Sequence, residues 1–113
     1  MVSYDVELRQ DEKVVKVESH EEGGTYVMGG CDSARLNITY NYAPVYALLH
    51  FSIRDLNGCQ AKDTIRRLVH TVEKLGTYQD EDYWAATTGN AGYAANILLN
   101  WALLYPEAIW EVT

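Results

Sequence analysis

The chain has 113 residues, enough for one domain whose hydrophobic core needs no disulfide or metal to stabilise it. Hydrophobic residues make up 48% and charged residues 22%, which are ordinary globular values and argue against extensive disorder. The net charge of −7 argues against nonspecific binding to nucleic acid, which requires Lys and Arg to displace counterions. It is compatible with solubility alone, with a basic protein partner, or with mimicry of nucleic-acid charge.

The N-terminal stretch MVSYDVELRQ carries charges where a signal peptide would need an apolar segment. No apolar run in the sequence approaches the length of a membrane span. The two cysteines, Cys31 and Cys59, have no recognised spacing, so we expect reduced thiols in a cytoplasm.

The first third of the chain predicts a small antiparallel sheet of about four strands. Residues 3–9 alternate, with Tyr4, Val6 and Leu8 on one face, which is typical of a half-buried strand. The valine-rich stretch 13–19 predicts its hairpin partner, and the stretch TYVMGG, between two glycine pairs, predicts a short third strand.

The stretch ARLNITYNY, residues 34–42, predicts the fourth strand. The residues expected to face the core are Leu36, Ile38, Tyr40 and Tyr42. The opposite row consists of Arg35, Asn37, Thr39 and Asn41. This polar row lines a binding site if another segment covers it, and is an ordinary solvent face if none does.

Three helices are predicted after the strands. Pro44 is suited to a first helical turn, and the apolar spacing extends that helix to residue 56. The second helix is predicted over 60–75 and the third over 90–105, and the tail after Pro106 either packs or adds an edge strand. The whole chain is expected to be one α+β domain, with three helices on one face of the sheet.

No catalytic, metal or cofactor motif is found. The glycine-rich stretch GGTYVMGG lacks the Lys and the strand-to-helix context of a phosphate-binding loop. The histidines His20, His50 and His70 are scattered, which favours packed or solvent-facing side chains over metal ligands. Cys–His chemistry remains an alternative because catalytic partners need not be neighbours in sequence. We expect no enzyme activity.

Amides and carboxylates are the remaining candidate functional groups. Asn provides a donor and an acceptor together, which suits recognition of a nucleobase edge or a sugar hydroxyl. Asn90 also fits an ordinary helix cap, while Asn96 and Asn100 either satisfy buried backbone groups or line a pocket. The acidic run Asp80-Glu81-Asp82 fits a bound cation, a basic partner or a solvated turn.

The stretches NITYNYAP, IRDLNG and LGTYQDEDYWAATTGNAGYAANILLNWA resemble a widespread family of small proteins encoded by bacteriophages and prophages. The resemblance covers about residues 35–111 and makes residues 1–24 a variable N-terminal hairpin. Where relatives have a Gly-Lys-rich turn this chain has NGCQAKD, so a phosphate-binding role is not carried over. The resemblance implies a phage origin and the cytoplasm of an infected bacterium, and no biochemical mechanism.

The resulting hypothesis is a counter-defence protein that sequesters a small, polar, nucleotide-like signalling molecule. Its pocket is predicted where residues 37–42 meet the start of the third helix. The ligand-binding candidates are Asn37, Thr39, Asn41, Arg54, Trp84, Thr88, Asn90, Asn96 and Asn100. The alternative is an acidic inhibitor of a host defence nuclease, with Asp80, Glu81 and Asp82 at the interface. A third possibility is an assembly accessory, and the Tyr and Trp content makes a homo-oligomer plausible.

Overall fold

The fold is given by a computed structural model that describes residues 3–18, 32–82 and 84–113. The strands are β1 (Ser3–Gln10), β2 (Lys13–Val14), β3 (Arg35–Thr39) and β4 (Ile109–Val112). The helices are α1 (Ala43–Ala47), α2 (Ala61–Leu75) and α3 (Thr88–Leu104). Short 3-10 helices, Tyr40–Tyr42 and Ile53–Leu56, lie on either side of α1. An antiparallel sheet combined with three helices confirms the predicted α+β class.

β1 is the central strand of the sheet. It pairs antiparallel with β2, β3 and β4. Val6 lies opposite Leu36 of β3 and also opposite Val112 of β4, so β3 and β4 occupy opposite edges of β1. The predicted alternation along β1 is confirmed, because its inward side chains are buried and join one core with those of the other strands.

The helices cover the inner face of the sheet. Trp110 of β4 is almost fully buried, and its Nε1 donates to Thr64 Oγ1 of α2 at 2.9 Å. Tyr46 of α1 donates from its hydroxyl to the Ala91 carbonyl of α3 at 2.7 Å. The indole N–H of Trp110 and the hydroxyl of Tyr46 are thus hydrogen-bonded, while their rings fill the core. The sheet and the helices contribute to one hydrophobic cluster.

The second and third helices lie where the sequence predicts them, within two residues at each end. α2 ends at Leu75 and is capped by Gly76, whose φ of 72° lies in the left-handed region that favours glycine. α3 begins after Thr87, whose side-chain hydroxyl accepts from the Asn90 backbone N–H. β4 confirms that the C-terminal tail adds a strand.

The predicted fourth strand is too long. β3 ends at Thr39, because the Thr39 hydroxyl accepts from the Asn41 backbone N–H at 3.2 Å and starts a 3-10 helix. Thr39 is 2% exposed, although the alternation placed it on the polar face. Asn41 therefore does not continue the row that contains Asn37, because the backbone no longer alternates after Thr39.

The predicted first helix is wrong beyond its first turns. α1 ends at Ala47, and His50 has a φ of 56°, a left-handed conformation that no helix can continue through. Ser52 then caps the next 3-10 helix, accepting from Arg54 N while Asp55 accepts from Ser52 N. This capping box starts a new element inside the apolar spacing that predicted one continuous helix.

The predicted N-terminal hairpin also needs correction. β2 extends over Lys13–Val14, and Lys16 then forms an isolated bridge with Ser33 instead of continuing along β1. The predicted third strand, residues 25–30, lies outside the described residues. β1 supplies part of the shared core, so the first strand is integral to the fold.

The outer face of the sheet is polar and centres on Glu7. Its carboxylate accepts from Arg9 at 2.9 Å and from Arg35 at 2.6 Å, and Arg9 also pairs with Glu111 at 3.0 Å. Burial pushes the pKa of Glu7 upward, but the hydrogen bonds from the two arginines outweigh it and hold the pKa below its usual value.

Among the described residues, no helix is both long enough and apolar enough to cross a membrane.

Candidate functional site

The loop 77–87, between α2 and α3, is organised by one buried amide. The Asn90 side chain is 0% exposed. Its Oδ1 accepts from Asp80 N at 2.9 Å, and its Nδ2 donates to the carbonyls of Asp82 at 3.1 Å and Ala85 at 2.9 Å. Asn90 thus uses both ends of its amide on the loop backbone, and its placement indicates a structural role in holding the loop.

The aspartates of the acidic run stabilise turns within the same loop. Asp80 Oδ1 accepts from Asp82 N at 2.9 Å, and Asp82 Oδ1 accepts from Trp84 N at 3.0 Å. Each aspartate uses one carboxylate oxygen in this way, as in the turns that Asx residues commonly form. The run is exposed, so its negative charge faces solvent while the backbone beneath it is fixed.

Two glycines of α3 allow the end of α2 and the start of the loop to lie directly against the helix. A Cβ at Gly89 would overlap the carbonyl oxygen of Tyr78, and a Cβ at Gly92 would overlap that of Gly76. Sequence reasoning assigned no role to either glycine. Their signal is present in the motif TGNAG, because glycine inside a helix is unfavourable unless another group needs the space.

The loop presents aromatic side chains to solvent. Trp84 is 50% exposed and Tyr78 is 86% exposed. On the other side of the loop, Asn41 Nδ2 donates to the Trp84 carbonyl at 2.8 Å. The end of β3 and the segment before α3 therefore meet through this bond, which brings Asn41 and Trp84 together.

A cavity of about 210 Å³ lies at the start of α3, but residues 37–42 do not line it. Its walls come from Leu75 to Tyr78, from Asp80 and from Thr87 to Gly89, including the exposed Thr88. Pockets for drug-sized ligands usually occupy about 300 to 1,000 Å³, so this cavity is small for a nucleotide. Asp80 would also repel a phosphate placed there.

Arg54 forms a cationic site at the other end of Tyr40–Tyr42. Its guanidinium carbon lies 5.1 Å from the centre of the Tyr4 ring and 5.9 Å from that of Tyr40. Its Nη2 donates to the Tyr40 hydroxyl at 2.8 Å. Arg54 is exposed, and no carboxylate of the described chain forms an ion pair with it.

The remaining amides lie apart from this region. Asn37 is on the outer sheet face, where Nδ2 donates to Ser3 Oγ at 2.7 Å and to Asp5 Oδ1 at 2.9 Å. Asn96 is half-buried on α3. Asn100 is exposed at the edge of a groove of about 580 Å³ between α3 and residues 16–18. The predicted ligand-binding residues thus lie on several separate surfaces. Two of them, Asn41 and Trp84, are in direct contact.

The buried phenols beneath the loop have raised pKa values. Burial, with a smaller contribution from the Asp82 carboxylate, raises the pKa of Tyr42 to about 12. Burial also raises the pKa of Tyr46 well above its ordinary value. Both hydroxyls therefore stay protonated at neutral pH, which fits core residues better than proton-transfer groups.

Within residues 3–18, 32–82 and 84–113, no group of three or more His, Cys, Asp or Glu side chains is placed to hold a metal ion. Cys59 is a free thiol and is partly buried, with Sγ donating to the Asp55 carbonyl at 3.4 Å.

Comparisons with known proteins found no matching family model, no matching curated protein and no matching solved structure.

Proposed function

We propose that this chain is a non-catalytic binding protein whose 77–87 loop docks onto a basic protein surface. One observation carries the proposal: the buried Asn90 amide fixes an exposed loop on which half-exposed Trp84 follows three carboxylates. An aromatic side chain on a fixed backbone loses little conformational entropy when it binds.

The chemistry of the loop is that of a protein interface. Trp and Tyr are enriched among the residues that contribute most to binding, because they bring large apolar area and a polar tip. Trp84 and Tyr78 offer such area outside the core, on an irregular segment that a buried amide holds in place.

The charge of the loop selects the partner. Asp80 and Asp82 each use one oxygen within the loop, whereas Glu81 makes no ion pair with a described cation. Together with the net charge of −7, these carboxylates favour fast association with a positively charged surface. The resemblance to phage-encoded proteins would place that partner in an infected bacterium. The basic nucleic-acid channel of a defence nuclease has the required charge.

The test immobilises the wild type and matched variants, exposes each to extracts of bacteria that carry nuclease defences, and compares the proteins that each retains. Wild type should retain a basic protein that is lost with Trp84→Ala, and lost with Asp80→Asn, Glu81→Gln and Asp82→Asn combined. The asparagines keep the oxygens that accept Asp82 N and Trp84 N, so this variant removes charge and not the turn. The affinity of the identified protein should fall steeply with salt. Equal retention by all variants would refute the proposal.

A second candidate function, sequestration of a small anionic ligand, is favoured by Arg54. Its guanidinium is held against two tyrosine rings and has N–H groups available for a phosphate or carboxylate. Melting temperature measured against a panel of nucleotides should rise for wild type and not for Arg54→Ala. Arg54→Lys is the matched control, since it keeps the charge and loses the planar donor set. A flat response across the panel would eliminate this candidate.

A further inference from the structure

The turn between the second 3-10 helix and α2 covers the outer edge of β4. Gly58 N donates to the Trp110 carbonyl at 2.9 Å, and Trp110 N donates to the Cys59 carbonyl at 3.0 Å. The Asn57 side chain extends this cover, because its Oδ1 accepts from Val112 N at 2.9 Å. β4 pairs with β1 along its other edge, so the turn takes the place of a second neighbouring strand.

The turn has the geometry of type II. Asn57 has a φ of −57° and a ψ of 125°, and Gly58 has a φ of 81°. Cys59 N donates to the Leu56 carbonyl at 2.9 Å, which closes the turn. The third residue of a type II turn needs a positive φ, so glycine is favoured there. The turn therefore requires the glycine that follows Asn57.

An asparagine that precedes glycine can react with its own backbone. Gly58 N loses its proton and attacks Cγ of Asn57; a C–N bond forms, and the side-chain nitrogen takes up a proton and leaves as ammonia. Water then opens the cyclic imide at either carbonyl, which gives aspartate or isoaspartate. Glycine favours the attack because it has no Cβ to obstruct the nitrogen. Of the six asparagines in the chain, Asn57 is the one that glycine follows.

The folded turn opposes this reaction in three ways. Ring closure requires Cβ of Asn57 and N of Gly58 to be eclipsed about the Cα–C bond, and at a ψ of 125° they are far from eclipsed. The Gly58 N–H, which must lose its proton, donates to Trp110, and the Asn57 side chain is held on Val112 N. Both hydrogen bonds are lost when β4 separates from the turn, and ψ is then free to change.

We propose that Asn57 is a deamidation site that the folded edge of β4 protects, so that the reaction proceeds when β4 separates from the turn. Segments of a folded protein open locally at free energies below that of global unfolding. Among the described strands β4 pairs with β1 alone, so its separation need not disrupt the pairing of β1 with β3. Asn57 and Gly58 also line an open groove of about 590 Å³, so water reaches the turn.

One product of the reaction makes the opening permanent. Isoaspartate adds a methylene to the backbone ahead of Gly58, which disrupts the turn that places Gly58 N on Trp110. Aspartate keeps the backbone length, and its carboxylate still accepts from Val112 N. Isoaspartate is therefore the product that leaves the edge of β4 uncovered. An uncovered strand edge presents unpaired N–H and C=O groups to other chains.

The first test measures isoaspartate at position 57 of the full chain, by peptide mapping with fragmentation that distinguishes it from aspartate. At mildly alkaline pH the folded wild type should react at least about tenfold more slowly than the same chain in urea, which corresponds to an opening free energy of about 1.4 kcal/mol. Asn37 and Asn100 precede larger residues and are internal controls, which should react much more slowly than Asn57 in urea.

A matched pair of variants tests whether the separation of β4 controls the rate. Thr64→Val removes the hydroxyl that accepts from Trp110 Nε1 at 2.9 Å, which weakens the anchoring of β4 and leaves the turn unaltered. Thr71→Val removes another buried hydroxyl of α2, which donates to the Arg67 carbonyl. The reaction in the folded protein should accelerate by about fivefold or more in Thr64→Val and stay unchanged in Thr71→Val. Urea unfolding checks that both variants remain folded.

Three results would overturn the inference: equal rates in the folded and unfolded chains, no isoaspartate at position 57 in urea, or equal acceleration by the two threonine variants. The two products give a further check. Asn57→Asp should unfold at nearly the same urea concentration as wild type, whereas purified protein with isoaspartate at position 57 should unfold at a lower one. Equal stability of the two would contradict a permanent opening of the β4 edge.

Discussion

The polar groups around Asn90 and those around Glu7 contrast in where they lie and in what they hold. Asn90 is inside the molecule and binds the backbone of a loop that contributes no regular structure. Glu7 and Asn37 are on the outer face of a sheet whose backbone is already paired. The first group determines the shape of a segment, whereas the second links side chains across strands that would pair without them.

This contrast shows why the amides of the sequence have unequal importance. A buried amide that is removed leaves its partners unsatisfied away from water, which costs about 1 to 3 kcal/mol for each such group. A surface amide that is removed is replaced by solvent at small cost. Asn37 and Asn90 therefore have the same side-chain chemistry, but Asn90 is expected to contribute far more to the free energy of unfolding. Four substitutions measure the difference.

The largest effect is expected for Gly92→Ala. Its Cβ would overlap the Gly76 carbonyl oxygen, so the backbone between α2 and α3 must shift. We expect the free energy of unfolding, measured in urea, to fall by about 3 kcal/mol or more. Asn100→Ala, on an exposed position of the same helix, is the control and should change stability little. Equal stability of the two variants would show that the end of α2 does not lie against α3.

Asn90→Ala should have the next largest effect. It removes three hydrogen bonds to the loop and should lower the free energy of unfolding by about 2 to 3 kcal/mol. Asn90→Asp keeps the oxygen that accepts from Asp80 N. It replaces the NH2 group that donates to two carbonyls with a carboxylate oxygen, which repels them. It should be as damaging at neutral pH and partly recover in acid. A loss below about 0.5 kcal/mol for Asn90→Ala would remove the contrast with the sheet face.

Glu7→Gln should have a moderate, pH-dependent effect. Its ion pairs are only partly buried, so screening limits the expected loss at neutral pH to about 1 kcal/mol. The folded pKa of Glu7 lies below its unfolded value. The stabilisation is therefore present above the ordinary glutamate pKa and is lost as pH falls through the lowered one. Urea unfolding of both proteins along an acid series should show the two free energies converging, and a constant difference would contradict this assignment.

The smallest effect is expected for Asn37→Ala. Its side chain donates to Ser3 and Asp5 on a solvated face, so the free energy of unfolding should change by less than about 0.5 kcal/mol. It should also leave binding by the 77–87 loop unchanged, because no contact links the two regions through Asn37. If Asn37→Ala lost as much stability as Asn90→Ala, the outer sheet face would be part of the structural framework.

Much of the fold was predictable because its signals are local. The alternation of Tyr4, Val6 and Leu8 and the apolar stripe of α2 each depend on residues a few positions apart. The errors occur where a side chain competes with the pattern. Thr39 and Ser52 cap short 3-10 helices within stretches whose apolar residues predicted a longer strand and a longer helix. His50 adopts a left-handed conformation that cannot be predicted from its residue type.

Less of the candidate site was predictable. Asn41, Trp84 and the acidic run were identified from local pattern and residue chemistry, and the structure joins Asn41 to Trp84 through one hydrogen bond. The glycines at 89 and 92 and the pairing of Arg54 with two tyrosines were missed, because those contacts connect residues distant in sequence.

The sequence alone determined that this is an acidic α+β domain with α2 and α3 near their observed positions, because periodicity and stop signals act over a few residues. Tertiary structure decided which polar residues face solvent and which hold the chain together. Asn90 is buried and holds the loop backbone, whereas Asn37 lies on the solvated face of the sheet. That outcome depends on the neighbours of each side chain, which in both cases come from another part of the chain.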